Sequence, residues 1–202
     1  MADAPTPVAD AAGESPITFS SIPFWARPDA LSAAADRVPT GASHVLVGVG
    51  ESGAAQVNRW AEVIGHDVAV TRVVHVDAGG AASGMRAAIS RSVVGVRVLV
   101  AAPAGSALRL RALAVTAGLE DDEFDMVVVD AEPGGRTIDV FCSHCRTTNH
   151  VDAVVDDVIS CRGCARSLLV YHHVSRRTGA YLGFMVDAEL PRGDDILQES
   201  TR

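Results

Sequence analysis

Four cysteines carry the clearest chemistry in this chain of 202 residues: Cys142, Cys145, Cys161 and Cys164, with none elsewhere. They fall as one Cys-x-x-Cys pair, fifteen intervening residues and a second Cys-x-x-Cys pair. The two-residue spacing places both sulfurs of a pair on one side of a tight loop. Two such loops brought together form a tetrahedral cage of four thiolates, the ligand set of a structural metal site. Exported proteins usually spend four cysteines on disulfides, whereas paired Cys-x-x-Cys loops in the cytosol usually hold metal. A cytoplasmic protein with a metal on all four cysteines is therefore expected.

The separation of the two loops fits the zinc-ribbon range. Rubredoxin-type iron sites also use two Cys-x-x-Cys loops, so iron with a redox role is the alternative. In rubredoxins a glycine usually follows the second cysteine of each loop, and the loops lie further apart. Here Arg146 and Ala165 stand at those positions, and both departures favour zinc. His144 and His150 lie nearby. Since four cysteines already complete a tetrahedron, each histidine is expected in solvent or beside the ligands, not as a fifth ligand.

A second candidate lies earlier. Gly48-Val49-Gly50-Glu51-Ser52-Gly53 follows an apolar run and opens a helical pattern, the place where a phosphate can rest on free backbone amides. Gly48, Gly50 and Gly53 are candidate nucleotide contacts, with Pro103 at a later strand end. Glu51 would repel a pyrophosphate, or it serves only to stabilise the helix N-terminus. Asp77 is the candidate for holding a ribose. Tyr171-His172-His173 contains groups capable of acid–base work, but on a strand the histidines point to opposite faces, one to the core and one outward. Arg176 and Arg177 could anchor an acidic partner or a phosphate, or simply occupy an exposed turn.

These residues need elements to hold them. Residues 1 to 16 read as a disordered tail, because Ala, Asp, Pro and Gly leave little to bury. Residues 17–40 carry Phe19, Ile22, Phe24, Trp25 and Leu31, an extended arm packed over the main domain or against another subunit. From 41 to 133 apolar β-branched runs alternate with helical patterns. Strands are expected at 45–49, 68–76, 96–101 and 126–129. Helices are expected from Ser52, as N-cap, to Ile64, from Ser83 to Val93 and from Ser106 to Ala117. Strands alternating with helices mean βαβ units and a parallel sheet covered on both faces. Gly134-Gly135 turns the chain into a metal-binding module at 136–190, with strands at 137–141, 151–159 and 168–172 and a tail or cap over 174–185. Residues 191–202 read as a loose tail.

The net charge is −8, every basic residue is arginine, and hydrophobic residues make up 48% with two tryptophans, so a core of Ala, Val and Leu is expected. An acidic chain is a poor general ligand for nucleic acid or anionic membranes. No apolar run approaches a membrane span, and the first residues lack a secretion signal. Charge is uneven: between Cys142 and Leu182, Arg146, Arg162, Arg166, Arg176 and Arg177 face Asp152, Asp156 and Asp157 alone.

Two resemblances follow from these residues. The order of segments from Val45 to Asp130 is similar to the nicotinamide-binding half of ferredoxin reductases. Ala101-Ala102-Pro103-Ala104-Gly105 stands where that family has a Cys-Gly-Pro turn, and the threonine of the first glycine turn is missing. The resemblance implies a Rossmann-like domain in which NAD(P)H binding is doubtful. The second resemblance rests on Phe141-Cys-Ser-His-Cys, Asp157-Val-Ile-Ser-Cys-Arg-Gly-Cys and Tyr171-His-His-Val-Ser-Arg-Arg-Thr-Gly-Ala-Tyr-Leu-Gly-Phe. These look like the small subunit of dimethylamine monooxygenase, a multi-component system for oxidative N-demethylation. The resemblance implies a supporting subunit for assembly or electron transfer. Its partners would be a haem subunit and a reductase subunit with flavin and an iron–sulfur centre, fed by NADPH. A redox subunit with iron and retained NAD(P)H binding, and a nucleic-acid-binding zinc ribbon, are the alternatives.

Overall fold

The computed structural model describes residues 20–26, 37–129 and 137–186. Phe19, Leu31, the Gly134-Gly135 turn and both terminal tails lie outside the described residues. Four strands, β1 (Ser43–Val49), β2 (Ala69–His75), β3 (Val96–Ala102) and β4 (Phe124–Val128), form one parallel sheet in the order β2-β1-β3-β4. Between them run α1 (Gly50–Ile64), α2 (Ala78–Ile89) and α3 (Ala104–Thr116). The period-2 alternation of β-strands divides their side chains between two cores. Val45, Val47, Val98 and Val100 meet Met85 of α2 and Leu110 of α3. Leu46, Leu99 and Val127 meet Val57 and Trp60 of α1 on the opposite face. The result is the α/β domain with a parallel sheet covered on both sides.

Helix starts differ from the sequence expectation. Ser52 does not cap α1; the helix already begins at Gly50, with Val49 extended at the cap position. Likewise α2 starts at Ala78, not Ser83, because Asp77 accepts a hydrogen bond from Gly80 N–H at 2.9 Å and caps the helix. The glycines of this helix have a packing role. A Cβ on Gly80 would meet the His75 ring at 2.5 Å, and one on Gly84 would meet Val73 Cγ1 at 2.6 Å. Small residues thus let α2 settle onto β2.

The second sheet is built from β5 (Thr137–Cys142), β6 (Thr148–Asp152), β7 (Val158–Ser160), β8 (Ser167–Val174) and β9 (Tyr181–Met185), in the order β6-β5-β9-β8-β7. The single strand expected over 151–159 is two strands. Asp157 Oδ2 accepts from Val154 N–H at 2.8 Å and Asp156 sits at φ 73°, a local turn that interrupts the run. The segment expected to be a tail or cap over 174–185 instead supplies β9, the middle strand. It pairs parallel to β5 and antiparallel to β8. Gly183 makes this insertion feasible, since a Cβ there would lie 2.8 Å from Val140 Cγ1 and 3.0 Å from Leu168 Cδ1.

The two sheets share α3. While Leu110 and Leu113 pack into the parallel-sheet core, Leu108 packs with Ile138, Val140, Val170 and Tyr181 of the second sheet. Residues 20–26 lie along the same seam. Ser21 N–H and Ser20 Oγ donate to His172 O at 3.3 and 3.0 Å, Ile22 and Ala26 join the second core, and Trp25 touches both.

Candidate metal centre

Each Cys-x-x-Cys pair is the turn of a β-hairpin. Cys142 ends β5 and Cys145 precedes β6; Cys161 follows β7 and Cys164 precedes β8. With β9 seated between the hairpins, the two turns come to one end of the sheet. Both turns close in the same way. Arg146 N–H donates to Cys142 O at 2.9 Å, and Ala165 N–H donates to Cys161 O at 2.8 Å. Arg146 and Ala165 occupy the left-handed region at φ 64° and 56°. That conformation normally favours glycine. Both positions therefore take a backbone conformation that suits glycine while carrying other residues.

The four sulfurs lie within 4.8 Å of one another. Cys142 Sγ is 3.9 Å from Cys164 Sγ, and Cys145 Sγ is 3.5 Å from Cys161 Sγ. A tetrahedral zinc with bonds of about 2.3 Å needs sulfurs roughly 3.8 Å apart. These two separations bracket that value, so the cage is of the size that a four-coordinate metal ion needs. Cys142 and Cys161 are buried, whereas Cys145 and Cys164 are half-buried, so the centre has one sealed side and one side close to solvent.

The electrostatics also call for a cation. Burial opposes ionisation of Cys161. Hydrogen bonds from the N–H groups of Gly163 and Cys164, with Cys145 and Asn149 adding to them, outweigh it and hold the thiol down to about 6. Cys145 is lowered chiefly by its hydrogen bond to the Thr147 hydroxyl. Cys164 goes the other way. Although Arg166 N–H favours its thiolate, burial and the sulfurs of Cys145, Cys161 and Cys142 push it up to about 12. Four negative charges cannot share so small a volume unless a cation stands between them.

Two supporting residues were not evident from the sequence. Asn149 is fully buried; its Oδ1 accepts from Arg162 N–H at 2.9 Å, while its Nδ2 donates to Val140 O at 3.2 Å and reaches Cys161 Sγ at 3.7 Å. It thereby fastens the second hairpin turn to the first hairpin. Gly163 is required because a Cβ would run into the Thr147 side chain and come within 3.1 Å of Cys145 Sγ. The only sequence signal for Asn149 is a polar residue at an inward-facing strand position. His144 is exposed, and His150 Nδ1 lies 2.8 Å from Asp139 Oδ1, so His150 is engaged away from the sulfurs.

The other candidates are placed as follows. Gly48, Gly50, Gly53 and Pro103 gather at the carboxyl ends of the adjacent strands β1 and β3. Two of the glycines are required by packing alone. A Cβ on Gly48 would lie 2.7 Å from Gly53 O, and one on Gly53 would lie 2.7 Å from Ala101 O, so α1 can approach β1 and β3 only without these side chains. Gly50 sits at φ 73°, and Pro103 is the N-cap of α3. Asp77 is engaged as the cap of α2. Gly105, in the first turn of α3, is pressed against the Thr137 carbonyl at the start of β5. His172 is buried and His173 exposed. Arg176 binds both carboxylate oxygens of Asp121 at 2.7 Å, and Arg111 reaches the same carboxylate at 3.5 Å. Arg177 is exposed. An open cleft of about 400 Å³ is lined by residues including Phe141, His173, Thr178 and Tyr181, and by none of the cysteines.

Residues 139–184 match the family described as dimethylamine monooxygenase subunit DmmA-like, C-terminal domain. This stretch begins in β5, ends in β9 and encloses the whole cysteine cage. The C-terminal module is thus similar to that family over these residues. The chain is also 40% identical over 82 residues to the heme-dependent oxidative N-demethylase delta subunit of Ectopseudomonas mendocina (strain ymp). That alignment covers 41% of this chain and 43% of the relative, so the chain spans less than half the length of the curated relative it matches. No solved structure matches the chain with significance. The DmmA-like module is thus a four-cysteine double hairpin inserted around β9, and the parallel-sheet domain lies ahead of it.

Proposed function

We propose that this chain is a non-catalytic subunit of a haem-dependent, multi-component oxygenase that demethylates methylated amines, with dimethylamine as the candidate substrate. The observation that carries the reading is the DmmA-like match falling on the metal-cage module. The similarity to an N-demethylase delta subunit supports it. In this reading the oxygen chemistry and the supply of electrons from NADPH belong to other subunits, one carrying haem and one carrying flavin and an iron–sulfur centre. Among the described residues, the cysteine cage is the only cluster of metal-ligand type.

The cage holds zinc in a closed structural site, a bound ion stabilising the two hairpins and the seat of β9. The short separation of the loops favours zinc over iron. The glycines of the first domain serve packing, and the domain acts as a scaffold in the cytoplasm without NAD(P)H. Co-expression with the candidate haem and reductase subunits tests the assignment: the chain should co-purify with them and carry roughly one colourless zinc ion. Iron with a thiolate charge-transfer band that bleaches on reduction would move the chain into the electron path. Failure to co-purify, with demethylation unaffected by omitting the chain, would end the subunit reading.

A further inference from the structure

Two sets of arginines in this chain contrast with each other. Beside the acidic loop between α3 and β4, Arg97 pairs with Asp122, and Arg111 and Arg176 pair with Asp121. At the metal end the pattern is reversed. Arg146, Arg162 and Arg166 are exposed, each within two residues of a cage cysteine. None of their guanidinium groups makes a hydrogen bond or ion pair among the described residues. No Asp or Glu occurs in residues 140–151 or 158–186. Since the four sulfurs lie within 4.8 Å of one another, the three guanidiniums are carried on one small tip together with the exposed His144. The half-buried sulfurs of Cys145 and Cys164 lie at the same tip.

We infer that this arginine-rimmed metal tip is a docking surface for a protein partner that presents clustered Asp and Glu side chains, namely another subunit of the same oxygenase. The proposal rests on the subunit reading above. Unpaired guanidiniums offer several donors each in a fixed planar fork, the geometry that matches carboxylates. The hairpin turns fix the backbone at the three positions, so the ordering cost on docking falls on the side chains alone. An acidic chain of net charge −8 repels a general polyanion, and three arginines on a tip make too short a stripe for a nucleic-acid track. An acidic protein face of matching size needs no longer stripe. The surface differs from the Arg176–Arg177 pair considered from the sequence, because Arg176 is already engaged by Asp121.

The test is co-expression of the full chain with the haem and reductase subunits, comparing wild type with Arg146→Glu/Arg162→Glu/Arg166→Glu. A second variant carries Arg→Gln at the same three positions. The Glu variant should weaken the complex about tenfold or more and the Gln variant less, the wild-type affinity should fall with added salt, and both variants should keep their metal content and melting temperature. Equal co-purification of wild type and Glu variant would overturn the docking surface and leave the subunit reading standing. If wild type itself fails to co-purify, both fall. Loss of metal in the Gln variant would show that the arginines serve only to offset the charge of the cage. Tight binding of a duplex DNA probe, or self-association of the isolated chain through this tip, would also overturn the proposal.

Discussion

Replacing Asn149 by alanine tests the account of the metal centre most directly. The side chain is fully buried and makes two well-formed hydrogen bonds, accepting from Arg162 N–H at 2.9 Å and donating to Val140 O at 3.2 Å. Truncation removes both and leaves the Arg162 amide without its partner beside the sulfurs. Each buried group left unsatisfied costs about 1–3 kcal/mol, so losing the partner of both groups should cost about 2–6 kcal/mol of module stability. The donor reaching Cys161 Sγ at 3.7 Å also disappears. Loss of a group that supports a metal ligand typically costs 10- to 100-fold in affinity, so metal transfer to a chromogenic chelator should accelerate on the order of 10- to 100-fold. Asn149→Asp discriminates further. It retains an acceptor for Arg162 but sets a carboxylate beside a thiolate, so its metal retention should be no better than that of the alanine variant. Melting and metal-release curves for Asn149→Ala that match wild type would refute the claim that this residue joins the two hairpin turns.

Other consequences are separately measurable. Cys161→Ser should abolish stoichiometric metal and make residues 137–186 protease-sensitive, while residues 43–128 stay resistant, because the parallel sheet has its own core. Gly53→Ala should destabilise the protein by about 1–3 kcal/mol, read as a drop in melting temperature without any nucleotide present, since the new Cβ would lie 2.7 Å from Ala101 O. Gly179→Ala should cost a comparable amount, because Gly179 combines φ 70° with a Cβ position 2.5 Å from Leu108 O, the point where β8 turns towards β9 against α3. Burial raises the pKa of Tyr181 above the ordinary phenol value. The neutral phenol is thus favoured in the fold, and its contribution is complete below a pH of about 10 and declines as pH rises towards the folded value. Tyr181→Phe should remove that alkaline decline in chemical-denaturation measurements.

Much of this architecture is legible in the chain. Alternating apolar runs and helical patterns suffice for a covered parallel sheet, because period 2 and period 3.6 leave different marks on which residues are buried. The cysteine spacing is equally direct: two residues between thiols impose a tight turn wherever it occurs, and two such turns define four ligands. Helix starts are less accessible. Gly79 and Gly80 weigh against a helix by propensity, yet the need to pack α2 against His75 and Val73 overrides that preference.

What the sequence alone determined was therefore the set of cysteines, the covered parallel sheet and the likeness to a demethylase subunit. The first two rest on local spacing and local periodicity, and the third is a resemblance carried by the motifs at 141–145, 157–164 and 171–184. Only the tertiary structure decided that β9 enters between the two hairpins, that Asn149 reaches across to the second turn, and that Arg176 is bound by Asp121 while Arg146, Arg162 and Arg166 are not. These are contacts between residues far apart in the chain. Their partners are chosen by which strands pair and which surfaces meet around α3, information that no short window of residues contains.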